Sequence, residues 1–68
     1  MENISKNEYE VTYSVKKEDE IIFTRRKTYI RASEKSYAME IMINETISFF
    51  EILGIDNIEI YGIKIKKL

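Results

Sequence analysis

The chain has 68 residues, with 11 Lys and Arg against 12 Asp and Glu and a formal net charge of −1. A chain of this length makes one domain and buries only about 60% of the surface it exposes when unfolded, so its core is small. It contains neither Cys nor His, which excludes disulfides, the usual structural zinc sites, a thiolate nucleophile and a proton shuttle near neutral pH.

In chain order, residues 1–6 read as a flexible N-terminal tail and residues 7–68 as a single ββαβ domain. Residues 1–6 carry neither the basic n-region nor the apolar h-region of a secretory signal, and no run reaches the roughly 18 apolar residues of a membrane span. The expected location is the cytoplasm, that of a bacterial host if the chain is phage- or plasmid-encoded.

The first strand is marked by Tyr9, Val11, Tyr13 and Val15 alternating with Glu8, Glu10, Thr12, Ser14 and Lys16, the period-two signature of a half-buried strand. Residues 21 to 32 are rich in β-branched and aromatic side chains and form the second. The polar stretch from Lys17 to Glu20 connects them without the Asn-Gly or Asp-Gly of a tight hairpin. A two- or four-residue loop sets Val15 opposite Ile22, Tyr13 opposite Thr24, Thr12 opposite Arg25 and Glu10 opposite Lys27, pairing opposite charge on the outer face. In that register Arg26 falls on the core side, where it must snorkel from an edge or be displaced by a bulge.

A helix follows over residues 33 to 53. Ser33 is a good N-cap with Glu34 in the first turn, though no Glu or Gln at position 36 completes a capping box. Gly54 after Leu53, with Ile55 beyond it, marks a Schellman-type stop. At 100° per residue, Ala38, Met39, Met42, Ile43, Thr46, Phe49, Phe50 and Leu53 form the core face. Tyr37, Ile41, Ser48 and Ile52 make a second line roughly opposite it. Such a line is a candidate protein interface, set against the simpler view of a greasy surface in an isoleucine-rich chain.

The last strand spans residues 57 to 66. Ile58 and Ile60 share one parity, Ile63 and Ile65 the other, and Gly62 lies at the change. A bulge at Gly62 turns all four inward. Without it, Tyr61, Ile63 and Ile65 would form an apolar outer face. A right-handed crossover through the helix then gives an α+β fold, a three-stranded antiparallel sheet of order 2-1-3 with the helix on one face.

The charges are segregated. Residues 33–60 hold Glu34, Glu40, Glu45, Glu51, Asp56 and Glu59 against Lys35 alone, whereas residues 21–32 and 61–68 hold only cations. Phe23, Arg25, Lys27, Tyr29 and Arg31 share one parity and would project together; with Arg26 and with Lys64, Lys66 and Lys67 they are candidates for contact with nucleic acid, where bases stack on rings and cations hold phosphates, or with an acidic protein. The bland alternative is a basic edge that guards against aggregation, and a pI near 5.4 is low for a dedicated nucleic-acid binder.

No Gly-rich phosphate cradle, no Ser with a His partner and no calcium-loop spacing is present, so no enzyme, metal, cofactor or small-molecule substrate is expected. The composition, rich in Ile, Lys, Glu and Asn, resembles that of AT-rich bacterial genomes and their phages and plasmids. The strand-strand-helix-strand order is similar to that of small phage inhibitors of host uracil-DNA glycosylase, a similarity of topology carried by no motif. What it implies is an inhibitor of a host protein. The expectation is therefore a small non-enzymatic protein-binding module, an inhibitor or adaptor and a homodimer, since small folds without staples gain stability by association. A nucleic-acid-binding accessory protein is the alternative.

Overall fold

A computed structural model describes residues 6–68 of the protein. Four elements follow in the order β1 (Asn7–Lys17), β2 (Glu20–Ala32), α1 (Lys35–Ile52) and β3 (Glu59–Lys67). The strands form one sheet of order β2-β1-β3, both pairings antiparallel, and the class is α+β as the sequence implies. Apart from Lys6, the tail expected over residues 1–6 lies outside the described residues.

β1 is the central strand, and its alternation decides the two faces. Tyr9, Val11, Tyr13 and Val15 are buried beneath α1 together with Ile30 and Ala32 of β2. The helix contributes Ala38, Met42, Thr46 and Phe50, spaced four apart, so a single i, i+4 line of the helix lies on the sheet.

The hairpin register departs from the expected one. Lys17 pairs with Glu20 around a two-residue turn, where Glu18 is left-handed at φ +56°, and Lys16 pairs with Ile21 in the expected register. The register then steps: Val15 opposes Phe23, Tyr13 opposes Arg26, Thr12 opposes Lys27 and Glu10 opposes Tyr29. The extra residues lie in β2, where Arg25 takes φ +51°. The gain is burial: the slip carries Phe23 to the core side, where its ring meets Tyr13 edge-on at 5.5 Å and stacks near Phe50 at 6.3 Å. Arg26 stays on that side and snorkels, its guanidinium 5.1 Å above the Phe23 ring.

β3 carries the bulge expected at Gly62. Thr12 pairs with Lys64 and Ser14 with Tyr61, so two residues of β3, Gly62 and Ile63, stand against Tyr13 alone. Gly62 takes φ +64°, a conformation in which a Cβ is costly. Ile58 and Ile60 before it and Ile63 and Ile65 after it all pack, half-buried, against the core.

Both helix ends are defined by backbone bonds. At the start, the first one runs from the Ala38 N–H to the Glu34 carbonyl at 3.1 Å, which makes Glu34 the N-cap in place of Ser33. Ser33 stays in the linking segment, its carbonyl accepting from the Asn7 side chain at 3.5 Å, while the Glu34 carboxylate accepts from Ser36 Oγ at 2.8 Å. At the end, the Gly54 N–H donates to the Glu51 carbonyl at 2.9 Å and the Ile55 N–H to that of Phe50 at 2.8 Å. Those two bonds, with Gly54 at φ +78° and Ile55 packed on the core, make the Schellman stop.

Candidate functional site

The helix does not bury as wide a stripe as its periodicity suggests. Met39, Phe49 and Leu53, all expected on the core face, are exposed. For Phe49 the cause lies across the layer: on the core side of β2 the helix meets Arg26 and Thr28, which give it no apolar wall. The Phe49 ring instead leans edge-on against Phe50 at 5.3 Å and remains 53% exposed. On the β3 side Met39 lies beside Ile65 at the start of the helix.

The second line is split. Ile41 is half-buried against the core, so the Tyr37 end of the line flanks β2, whereas Ser48 and Ile52 are exposed on a surface lined by helix residues alone. Tyr37 and Ile41 adjoin Arg31 and Ala32 at one end, and Ser48 and Ile52 adjoin Phe49 and Glu45 at the other. Ile52 is 83% exposed and Tyr37 52%, at opposite ends of α1, and the exposed Phe49 adjoins Ile52 on the flank that overlooks β2, an apolar pair of the kind found at interaction sites.

Between that flank and β2 lies a cleft of about 110 Å³, lined by Tyr13, Phe23, Arg26 and Thr28 from the sheet and by Met42, Glu45, Thr46, Phe49 and Phe50 from the helix. Its floor is aromatic, its strand rim is cationic at Arg26 and its helix rim anionic at Glu45. A volume of this size admits one side chain of a partner and is small for a drug-sized ligand, for which about 300 Å³ is a lower bound. Sequence reasoning missed this cleft because it assigned Phe49 to the core and Phe23 to the outer face. Arg26 and Thr28 at core-facing parity were the available signal: an edge strand that is polar towards the helix leaves the facing helix edge uncovered.

On the other face of the sheet the basic surface is thinner than expected. Lys27, Tyr29 and Arg31 oppose Thr12, Glu10 and Glu8, and Lys64 and Lys66 flank the same row from β3. Phe23 and Arg26 are on the opposite, helix-covered side. Lys67 pairs with Tyr9 and so shares the core-facing parity. Arg25 sits in the β2 bulge, where its backbone N–H is held by Ser14 Oγ. Charge on this face is partly neutralised: Glu10 lies 4.0 Å from Lys27 and accepts from the Tyr29 hydroxyl at 3.3 Å. Lys16 pairs with Glu59 at 3.8 Å and lies 5.5 Å over the Tyr61 ring.

Among the described residues no three acidic side chains gather as a metal site would require, and no helix is long and apolar enough to cross a membrane. No family model matches this chain, and no curated protein and no solved structure matches it either.

Proposed function

We propose that this chain is a small non-enzymatic protein-binding module, an inhibitor or adaptor that acts by seating its helix flank on a larger protein. The observation that carries this reading is the exposed pair Phe49 and Ile52 at the C-terminal half of α1, continuous through Phe49 with the aromatic cleft beside the border strand β2. Exposed aromatic and aliphatic anchors next to a pocket are the usual core of a protein interface, with charged rims around them.

The test is affinity capture of proteins from a bacterial lysate with three forms of the chain: the native one, Ile52→Glu, and the double variant Lys27→Glu with Lys64→Glu. The reading requires a defined binder that Ile52→Glu loses and the double variant keeps. The opposite pattern, or capture indifferent to Ile52→Glu, overturns it.

A second reading rests on the row Lys27, Tyr29, Arg31, Lys64 and Lys66 on the open sheet face: contact with single-stranded nucleic acid, tyrosine stacking on bases and the cations on phosphates. It is the weaker of the two, because Phe23, Arg26 and Lys67 do not share that face and Glu8 and Glu10 do.

A further inference from the structure

β2 lies at the border of the sheet, and among the described residues no strand pairs with its outer edge. Beyond the bulge at Arg25 its register with β1 is regular from Arg26 to Ala32, so this stretch presents a straight row of backbone donors and acceptors. Such an edge is a template for another strand. Its charges restrict which strand: Arg25, Arg26, Lys27 and Arg31 stand against Glu20 alone. Two copies paired antiparallel about the middle of β2 would set Arg26 against Arg26 and Arg25 against Lys27, and directly opposed like charges are destabilising. The same cations attract carboxylates.

Beside this edge the cleft offers Phe23, Phe49 and Phe50 to an apolar side chain, with Arg26 on the rim next to the strand and Glu45 on the rim across from it. An incoming strand alternates its side chains, one set towards the helix layer and one away. A strand added to β2 therefore sends one side chain into the cleft while its neighbours lie over the basic edge. The charge of the two rims fixes where acid is accepted: at Arg26, on the strand side, and not at Glu45.

From this we infer that the partner's recognition element is an extended acidic segment that adds a strand to the outer edge of β2, from Arg26 to Ala32, and inserts one aromatic or aliphatic side chain into the cleft at Phe23 and Phe49. The inference rests on the protein-binding reading and names the partner's chemistry: backbone pairing supplies affinity, and the cleft and cations supply selectivity.

Phage display of random dodecapeptides, selected on the folded full-length chain, tests it. The enriched peptides are expected to be net acidic with a bulky apolar residue between the acids. Synthetic copies should lose at least tenfold in affinity against Arg26→Glu and, separately, against Phe49→Ala. On binding, amide hydrogen exchange should slow between Arg26 and Ala32. Both side chains are exposed, so the variants should fold; circular dichroism checks this, and Arg26→Gln serves if Arg26→Glu does not. Enrichment of neutral or basic peptides, acidic peptides that bind Arg26→Glu as tightly, protection confined to the open sheet face, or no enrichment overturns the inference. So does a dimer in sedimentation whose β2 edges pair with each other. If peptides fail while lysate capture still depends on Ile52, only the strand-addition inference falls; if capture is also independent of Ile52, the protein-binding reading falls with it.

Discussion

Ser14 Oγ lies 3.0 Å from the backbone nitrogen of Arg25 and accepts its N–H, which ties the central strand to the bulge in β2. A bulge leaves one backbone group without its ladder partner, and here a hydroxyl takes that place. Ser14 itself is buried and faces the second bulge on its other side, where a Cβ placed on Gly62 would stand 3.8 Å from the same Oγ. Both irregularities therefore lie at one level of the sheet, either side of Ser14.

Replacing Ser14 by Ala should leave a part-buried N–H without its acceptor and cost about 1 kcal/mol. Urea denaturation followed by circular dichroism measures it. A change within error of zero would mean that water replaces the hydroxyl and that the bulge does not depend on Ser14.

Left-handed backbone at three sites gives predictions of opposite sign. Gly62→Ala introduces no clash, so its cost should come from the φ of +64° alone, about 1–2 kcal/mol. Glu18 already bears that penalty in the hairpin turn at φ +56°, and Glu18→Gly should stabilise the chain by up to about 1 kcal/mol, the loss of chain entropy offsetting part of the gain. Thermal melts of both variants against the native chain give the comparison. Asn57, also left-handed at φ +57°, is a residue type that tolerates the conformation, and Asn57→Ala should be mildly destabilising.

The narrow helix stripe is tested by a pair of methionines. Met42 is 1% exposed and Met39 39%, although the helical period sets both on the core side. Met42→Ala should cost about 2–5 kcal/mol, enough to unfold a domain this small at moderate temperature. Met39→Ala should cost about 1 kcal/mol or less. Equal costs would show that the helix buries the wider face.

The two surfaces separate by salt. If the sheet face binds nucleic acid, anisotropy of a labelled single-stranded oligonucleotide should report micromolar binding at low salt that falls steeply as salt rises, because released counterions impose that slope. Lys64→Glu should then weaken it, and Ile52→Glu should not. For the protein-binding module the expectation is no oligonucleotide binding at low salt and full sensitivity of partner capture to Ile52→Glu.

Much of this architecture is written in local pattern. The alternation around Tyr9 to Val15 marked the buried face of β1. The change of isoleucine parity about Gly62 located the β3 bulge, because an extra residue in the strand is needed for Ile60 and Ile63 to face the same way and Gly accepts the positive φ that such a bulge can take. Gly54 and Ile55 marked the helix stop, since a Schellman turn needs a residue free to adopt positive φ. The β2 bulge was only hinted at, by Arg26 on the core side: its left-handed residue is an arginine, Arg25, and no glycine marks the place. The register steps twice in β2, between Ile21 and Phe23 and again at Arg25, so Phe23 faces the core while Lys27, Tyr29 and Arg31 keep the open face, and the basic face loses its expected aromatic member Phe23.

The amino-acid sequence by itself determined the elements, their order 2-1-3 and the inward face of Ile58, Ile60, Ile63 and Ile65, because period, turn chemistry and crossover handedness are local or topological constraints. The place opposite Val15, expected for Ile22, goes to Phe23. The tertiary structure alone decided which surfaces are left over. Whether Phe49 is core or surface depends on what stands across from it: Arg26 and Thr28 face the helix in either register, and Phe23 joins them there because burying its ring against Tyr13 and Phe50 outweighs an unbroken ladder between β1 and β2. A non-local packing choice made the cleft.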